Sequence, residues 1–275
     1  MVAIVCDSAA NLPPDLARNL GVQVVPMYVR FGDETYRDGT DIATADFYRR
    51  LAEHKEVASS ATPGWGDFLE AYEATGQRDV VCVTVAGSMS AANHQAALAA
   101  ERFHGRVEVV DSMTASMGEG FVALEAAYRG ASGGSLEEVA ARARQVAERT
   151  ELLAMVETFE YLQRSGRVKK LQAYAATMLD IKPVFRFERG DVQAVARPRT
   201  RRRALERIEA EAVKLMAGRP AHVAALHAAA ENDALELLTR IRDQVDVREE
   251  FLTAVTPVIG AHVGPGLVGM AFFCE

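Results

Sequence analysis

Val80-Val81-Cys82-Val83-Thr84-Val85-Ala86-Gly87-Ser88-Met89-Ser90-Ala91-Ala92-Asn93 decides the fold class: an apolar run ends in small hydroxyl residues and passes into an alanine-rich stretch. A run this short and this rich in valine reads as a buried strand, and the alanine-rich stretch reads as the start of a helix. Ile4-Val5-Cys6 running into Asp7-Ser8, and Val107 to Val110 running into Asp111-Ser112, repeat the plan. Apolar runs alternating with amphipathic stretches are the pattern of βα units, which build parallel sheets. All three hydroxyl turns then open at the carboxyl edge of one sheet, where open α/β folds bind ligands. Hydroxyls gather there, without metal ligands or an evident nucleophile–base pair. The edge is therefore predicted to bind rather than to catalyse.

Outward from this stretch, strands are predicted near 2–6, 22–30, 80–85 and 107–110, and helices near 13–20, 44–54, 67–75, 90–103 and 115–129. Asn11 before Pro13-Pro14 reads as a helix start, since proline in the first turn loses no needed N–H. Thr44 and Asp67 read as N-caps. Gly130-Ala131-Ser132-Gly133-Gly134 breaks the pattern, and Ser135-Leu136-Glu137-Glu138 has capping-box spacing, opening a helix to about Thr150. From 151 the texture changes. Leu152–Val156, Lys182–Phe187 and Val192–Ala196 read as strands, the last two joined by the turn Glu188-Arg189-Gly190-Asp191. His222–His227, Phe251–Val258 and Leu267–Phe273 are further strands. Two helices place Leu205, Ile208, Ala212 and Leu215, and Leu235, Leu238, Ile241 and Val245, on their inner faces. The prediction is an α/β protein of two domains, 1–150 with a parallel sheet flanked by helices, and 151–275 with a mixed sheet and helices on one side.

The chain has 275 residues, 49% apolar and 25% charged, with a formal net charge of -7. That charge opposes nucleic-acid binding, which needs a basic face. Cys6, Cys82 and Cys274 sit among apolar neighbours without CxxC spacing, so they read as buried thiols of a cytoplasmic protein. No signal peptide is visible, and no apolar run reaches the length of a membrane span, which leaves at most transient membrane contact.

Each motif has a plain reading beside a functional one. Ser90 precedes a helix start, where free N–H groups and a partial positive charge favour anions; taken alone, a capping serine is the simpler account. Ser59-Ser60-Ala61-Thr62-Pro63-Gly64 reads as a polar loop, and by itself as ordinary turn chemistry. Gly264-Pro265-Gly266-Leu267-Val268-Gly269 matches GxGxxG, but a strand rather than a helix comes next, so the dinucleotide reading fails on context. A glycine turn that brings backbone and His262 close to a ligand fits Gly264 and Gly266 better. Gly130–Gly134 matches the nucleophile elbow GxSxG but comes after a helical segment. His222 and His227, five apart in a strand, face opposite sides and cannot share a metal. Arg201 to Arg203 read as a solvated face. Arg167 and Arg199, each beside a turn, suit phosphate or carboxylate pairing.

As an ordered set these segments resemble the DegV family of bacterial fatty-acid-binding proteins, over nearly the whole chain. Val5-Cys6-Asp7-Ser8-Ala9-Ala10-Asn11-Leu12 is similar to the family's "DSTADL" opening, Val24-Val25-Pro26-Met27 to "VVPL", and Val109-Val110-Asp111-Ser112 to "VVDS". Phe159 to Arg167 resembles "LEYLKKGGR", Leu179 to Val184 "LLNIKPI", Arg199-Thr200 the later "RT", and His262 to Gly266 "HxGPG". The resemblance implies no cofactor and no catalytic residue. It implies a carrier for one long-chain fatty acid, such as palmitate, stearate or oleate. A separate ATP-binding fatty acid kinase subunit would be the partner, forming the acyl phosphate.

By the same resemblance Ser90, His262 and either Ser60 or Thr62 would hold the carboxyl group. Asp7, Ser8, Asp111, Ser112, Gly264 and Gly266 would shape the pocket, and Arg167 and Arg199 would meet the partner or the phosphate. The chain departs from the pattern at Ala86-Gly87, Ala91-Ala92 and Ala61-Thr62, where the family has Ser-Ser, Gly-Thr and Ser-Gln. The runner-up reading is a hydrolase or phosphotransferase using Ser90 and His262; a lipid-responsive regulatory sensor is a third.

Overall fold

The computed structural model describes residues 2–54, 58–76, 79–167 and 181–275. Leu179 and Asp180 of the resemblance lie outside them.

The opening expectation of a parallel sheet holds. Strands β1 (Ala3–Asp7), β2 (Gln23–Val25), β6 (Val80–Thr84) and β7 (Val107–Asp111) form a four-stranded sheet in the order β2-β1-β6-β7 with every pairing parallel. Buried on both faces, β1 and β6 carry unbroken apolar runs, as central strands of a covered sheet must.

The segment 22–30 is not one strand. Pro26 interrupts it: β2 stops at Val25, and Tyr28–Phe31 (β3) joins a different, antiparallel sheet with β4 (Glu34–Arg37) and β5 (Ala58–Ala61), in the order β4-β3-β5. A proline has no N–H for the ladder, so the chain changes sheets there. The stretch read as a polar loop at 59–64 is thus half strand, with Ser60 opposite Val29. Its backbone pairing is supplied by β3, whatever its side chains prefer.

The six-stranded sheet runs β10-β9-β8-β13-β11-β12, from β8 (Glu151–Met155), β9 (Val184–Glu188), β10 (Asp191–Ala196), β11 (Ala221–His227), β12 (Val247–Ala254) and β13 (Val268–Cys274). Only β11–β12 is parallel, so the sheet is mixed. The β9–β10 turn has Arg189 and Gly190 both at positive φ, 49° and 79°, as a tight hairpin requires.

Alternation along these strands sorts two cores. Leu153, Met155, Val223, Ala225, Met270 and Phe272 face helices α8 (Arg201–Met216) and α9 (Glu231–Arg242). Leu152, Ala154, Phe185, Leu226, Ala271 and Phe273 face the first half of the chain. Helix α5 (Met117–Ala131) lies between the sheets, packed on β1, β6 and β13, with the Phe121 ring 5.4 Å from that of Phe273. Helix α6 (Leu136–Arg149) begins on the expected box: Ser135 Oγ accepts from Glu138 N–H, and the Glu138 carboxylate accepts from Ser135 N–H.

Other local expectations shift. Helix α1 (Pro14–Leu20) has Pro13 at its cap position, whereas Asn11 adopts a left-handed conformation and bonds to Thr253, Ala254 and Thr256. Helix α2 spans Thr44–His54, with Thr44 as its first residue. Helix α3 (Trp65–Ala74) is capped by Gly64, and Asp67 is the third helical residue whose carboxylate accepts from Gly64 N–H. In α9 the buried stripe is Ala234, Leu237, Leu238 and Ile241, and Leu235 is exposed. Phe251–Val258 ends as strand at Ala254; Pro257–Val263 is helix α10, which packs against the short helix α7 (Glu160–Ser165). Pro257 sits where a first-turn proline is favoured, and Gly260 lets α10 press against Phe47 and Tyr48. Cys6, Cys82 and Cys274 are buried free thiols, as their neighbours suggested.

Candidate functional site

At the carboxyl edge of the parallel sheet the chain after β6 turns through Ser88 and Ser90 into helix α4 (Ala92–Ala100). Ser90 Oγ accepts from Ala92 N–H at 3.2 Å, so it does part of a cap's work although Ala91 holds the cap position. The same hydroxyl lies 3.3 Å from Thr62 Oγ1, at the end of β5. Ser60, on β5, brings its Oγ to 2.7 Å from His262 Nε2. The two loop hydroxyls thus divide: Ser60 meets the imidazole and Thr62 meets Ser90.

His262 does not occupy a loop. It stands in the last turn of α10, and the glycine turn comes directly after. Gly264, at φ +71°, would put a Cβ 2.3 Å from the Tyr161 ring on α7, and Gly266, at φ +88°, would put one 2.8 Å from Glu157 Cβ. Both positions require glycine on conformation and on space. Burial, with the Arg167 guanidinium as the nearby charge, pushes the His262 ring down to about 4. A neutral imidazole carries one N–H donor and one acceptor nitrogen, which suits exchange of hydrogen bonds with hydroxyls.

Ser60, Thr62, Ser90, Arg167 and His262 line one cavity with about 1010 Å³ of empty space, the open solvent at its mouth included. Among the described residues its remaining wall is apolar apart from Ser116. Leu152, Ala154, Val156, Phe185, Phe187 and Leu226 come from the six-stranded sheet, and Met27, Val85, Met89 and Ile259 from the facing side. This is the face of that sheet turned away from α8 and α9. A smaller cavity shares Ser60, Arg167 and His262 and adds Ser59, Tyr161, Arg164 and Ser165.

The other expected residues stand one layer back or outside. Asp7 is buried; its carboxylate accepts from Ala9 N–H at 3.0 Å and Val85 N–H at 2.9 Å, and burial pushes it up to about 7. Ser8 donates to Asp38 at 2.6 Å. Asp111 accepts from Gly87 and Met113 N–H, and Ser112 donates to the Thr114 carbonyl. These four fix the turns whose neighbours Ala9, Val85 and Ala115 reach the cavity. Arg199 is exposed just before Thr200, the cap of α8, and is not among the residues that line the cavity.

Sequence reading missed Arg201 and placed it on a solvated face. Its guanidinium is largely buried, bonding to Asp233 (2.5 Å), Glu157 (3.0 Å) and the Gly266 carbonyl (2.6 Å). Arg202 and Arg203 do face solvent. Arg201 thereby pins the glycine turn beside His262. Its first position in α8, after the Thr200 cap, was the only signal in the sequence.

No helix among the described residues is long and apolar enough to cross a membrane. The chain resembles known proteins along its whole length. It is 34% identical over 273 residues to a DegV domain-containing protein of Streptomyces coelicolor, covering 98% of this chain and 97% of that one. A solved structure described as fatty acid binding of a DegV family protein from Thermus thermophilus superimposes with a TM-score of 0.93 at 32% identity, covering 100% of this chain and 99% of that one. The structure of DegV from Bacillus subtilis, described as a fatty acid binding protein, gives 0.91 at 26% identity, with 100% and 99% covered. The family model for DegV, described as an uncharacterised protein family, matches residues 1–275, and the chain accordingly belongs to the DegV family.

Proposed function

We propose that this chain binds a single long-chain fatty acid, such as palmitate, stearate or oleate, with its carboxyl group at Ser60, Thr62, Ser90 and His262 and its tail along the apolar cavity. The observation that carries the reading is the polar corner, Ser60–His262 and Thr62–Ser90, in a cavity whose lining among the described residues is otherwise apolar but for Arg167 and Ser116. A carboxylate removed from water needs hydrogen bonds, and hydroxyls with an imidazole supply them. The tail gains up to about 0.8 kcal/mol per buried CH₂. The fatty-acid-binding relatives support the same occupant.

In the fuller form of the proposal, residues 1–150 and 151–275 are two domains with the acyl chain between them. The protein is a cytoplasmic carrier without catalytic residues of its own. It presents the carboxyl group to a separate ATP-binding kinase subunit, which forms the acyl phosphate. Arg167 at the polar corner, with Arg199, would meet the phosphate or the partner, and Asp7, Ser8, Asp111, Ser112, Gly264 and Gly266 would hold the walls.

One observation favours a second reading. Ser60 and His262 stand at nucleophile–base distance, the arrangement a hydrolase would use, although with Ser60 in place of Ser90. A ring pushed down to about 4 is a weak general base at neutral pH, and among the described residues no carboxylate orients its other nitrogen. The carrier reading is therefore the stronger. Solvent extraction of purified protein followed by mass spectrometry should return a long-chain fatty acid. Finding none, together with no heat on titrating oleate, would end the proposal; turnover of acyl esters by the protein alone would install the hydrolase instead.

A further inference from the structure

The Ser60–His262 half of the polar corner exists only where α10 lies, and α10 is fastened from the far end of the chain. Asp38 is 2% exposed and lies just after β4. One of its carboxylate oxygens accepts from the Ser8 hydroxyl at 2.6 Å, the other from Val258 N–H at 3.4 Å, in the first turn of α10. Ser8 Oγ in turn accepts from Met27 N–H at 3.0 Å, so one buried relay joins β1, the residue before β3 and α10. Neighbouring bonds run the same way. Asn11 Oδ1 accepts from Thr256 N–H at 2.7 Å, and the Tyr48 hydroxyl donates to the Val255 carbonyl at 3.2 Å.

A helix N-terminus leaves its first N–H groups unsatisfied. Here no side-chain cap comes from Thr256, the cap residue of α10. A carboxylate 220 positions away in the chain takes the Val258 N–H instead. An ionised acceptor is also favoured by the positive end of a helix. Burying an acidic side chain is costly unless donors surround it, which ties Asp38 to this one placement of Ser8 and Val258. Four residues beyond Val258 on the same rigid helix stands His262, against Ser60.

We propose that Asp38 is a positioning residue for the carboxylate-binding corner: held by Ser8, it sets the place of α10 through Val258 N–H and thereby the Ser60–His262 contact. The carboxylate as occupant rests on the function proposed above; the positioning role itself does not.

Long-range ¹H–¹⁵N spectra of the uniformly labelled full chain report each histidine ring. Asp38→Asn keeps the shape but turns an N–H donor toward one of the facing donors, and Ser8→Ala removes the relay with less risk to folding. Both are expected to shift the His262 ring resonances while those of His222 and His227 on β11 stay in place, and to weaken oleate binding at least fivefold by titration calorimetry. General loss of stability would not move one histidine selectively in the folded state. Unshifted His262 signals in the folded variants, or shifted signals with oleate affinity unchanged, would overturn the proposal. If Asp38→Asn does not fold, Ser8→Ala alone decides. Shifted His262 signals in a protein whose wild type takes up no oleate would uphold the positioning role and overturn the fatty-acid reading.

Discussion

Ser60 Oγ and His262 Nε2 are 2.7 Å apart although 202 positions separate them in the chain. One is carried by a strand of the smallest sheet and the other by the last turn of a seven-residue helix. Removing either partner should weaken fatty-acid binding. A hydrogen bond in such a setting is worth about 1–1.5 kcal/mol, so Ser60→Ala and His262→Ala should each cost roughly tenfold in affinity. Calorimetric titration of both single variants and the double variant should show losses that do not add, as residues in contact are coupled.

The imidazole sets a pH signature of its own. With the ring held at about 4 in the folded chain and near 6.5 when unfolded, the unfolded state binds more protons between those values. This contribution to stability is therefore present above pH 6.5 and is lost as pH falls toward 4. Replacing the ring in His262→Gln should flatten that part of the stability curve, measured by urea unfolding at a series of pH values.

Glu119, in the first turn of α5, runs the opposite way. It is fully buried, neither carboxyl oxygen has a hydrogen-bond partner among the described residues, and burial with Asp7 and Asp111 nearby raises it well above the ordinary range. A carboxyl group raised on folding contributes most below its unfolded value, and that contribution is lost as pH climbs toward the folded one. Each unit of pH above the unfolded value costs about 1.4 kcal/mol until the folded value is reached. Glu119→Gln should therefore melt higher than the wild type at pH 8, with the difference closing by about pH 5 in calorimetric scans.

Gly264→Ala should be severely destabilising. Positive φ strains any side chain by about 1–3 kcal/mol, and the new methyl would also meet the Tyr161 ring. Truncating the ring in Tyr161→Ala should not restore the melting temperature of the double variant, because the backbone strain remains.

Ala154 faces the cavity from β8 and offers room to shorten it. Ala154→Leu should reduce affinity for stearate more than for laurate, since each methylene displaced from the cavity forfeits about 0.8 kcal/mol. Equal losses for both chain lengths would place Ala154 away from the tail.

The parallel sheet, the capping box at Ser135, the hairpin at Glu188–Asp191 and the glycine turn after His262 were all legible, because each is encoded by neighbours in sequence. The strand holding Ser60 was not. Ala58-Ser59-Ser60-Ala61 has no apolar alternation, and β3 imposes its extended form by pairing. Helix α10 was hidden for the opposite reason: Val255 to Val263 is rich in β-branched residues, and only Pro257 and the small Gly260 and Ala261 hint at a helix. The residues of the polar corner were named together only through the family resemblance, and their pairings are set by contacts between remote segments. Arg201 belongs to the same class, since its partners Glu157, Asp233 and Gly266 are spread over three separate segments.

The residues of the polar corner are numbered 60, 62, 90 and 262, and that order has a temporal meaning. A chain emerging from the ribosome exposes its N-terminal portion first. The parallel sheet, with its pairings confined to residues 3–111, can assemble while His262 has yet to be made. Until α10 emerges, Ser60 lacks its partner and the Asn11, Asp38 and Tyr48 contacts have nothing to hold. A product terminated before α10 would thus carry the Thr62–Ser90 pair without the Ser60–His262 contact. The proposed site is thus completed in two stages, the hydroxyls of residues 60, 62 and 90 preceding the imidazole of residue 262 by more than half of the chain.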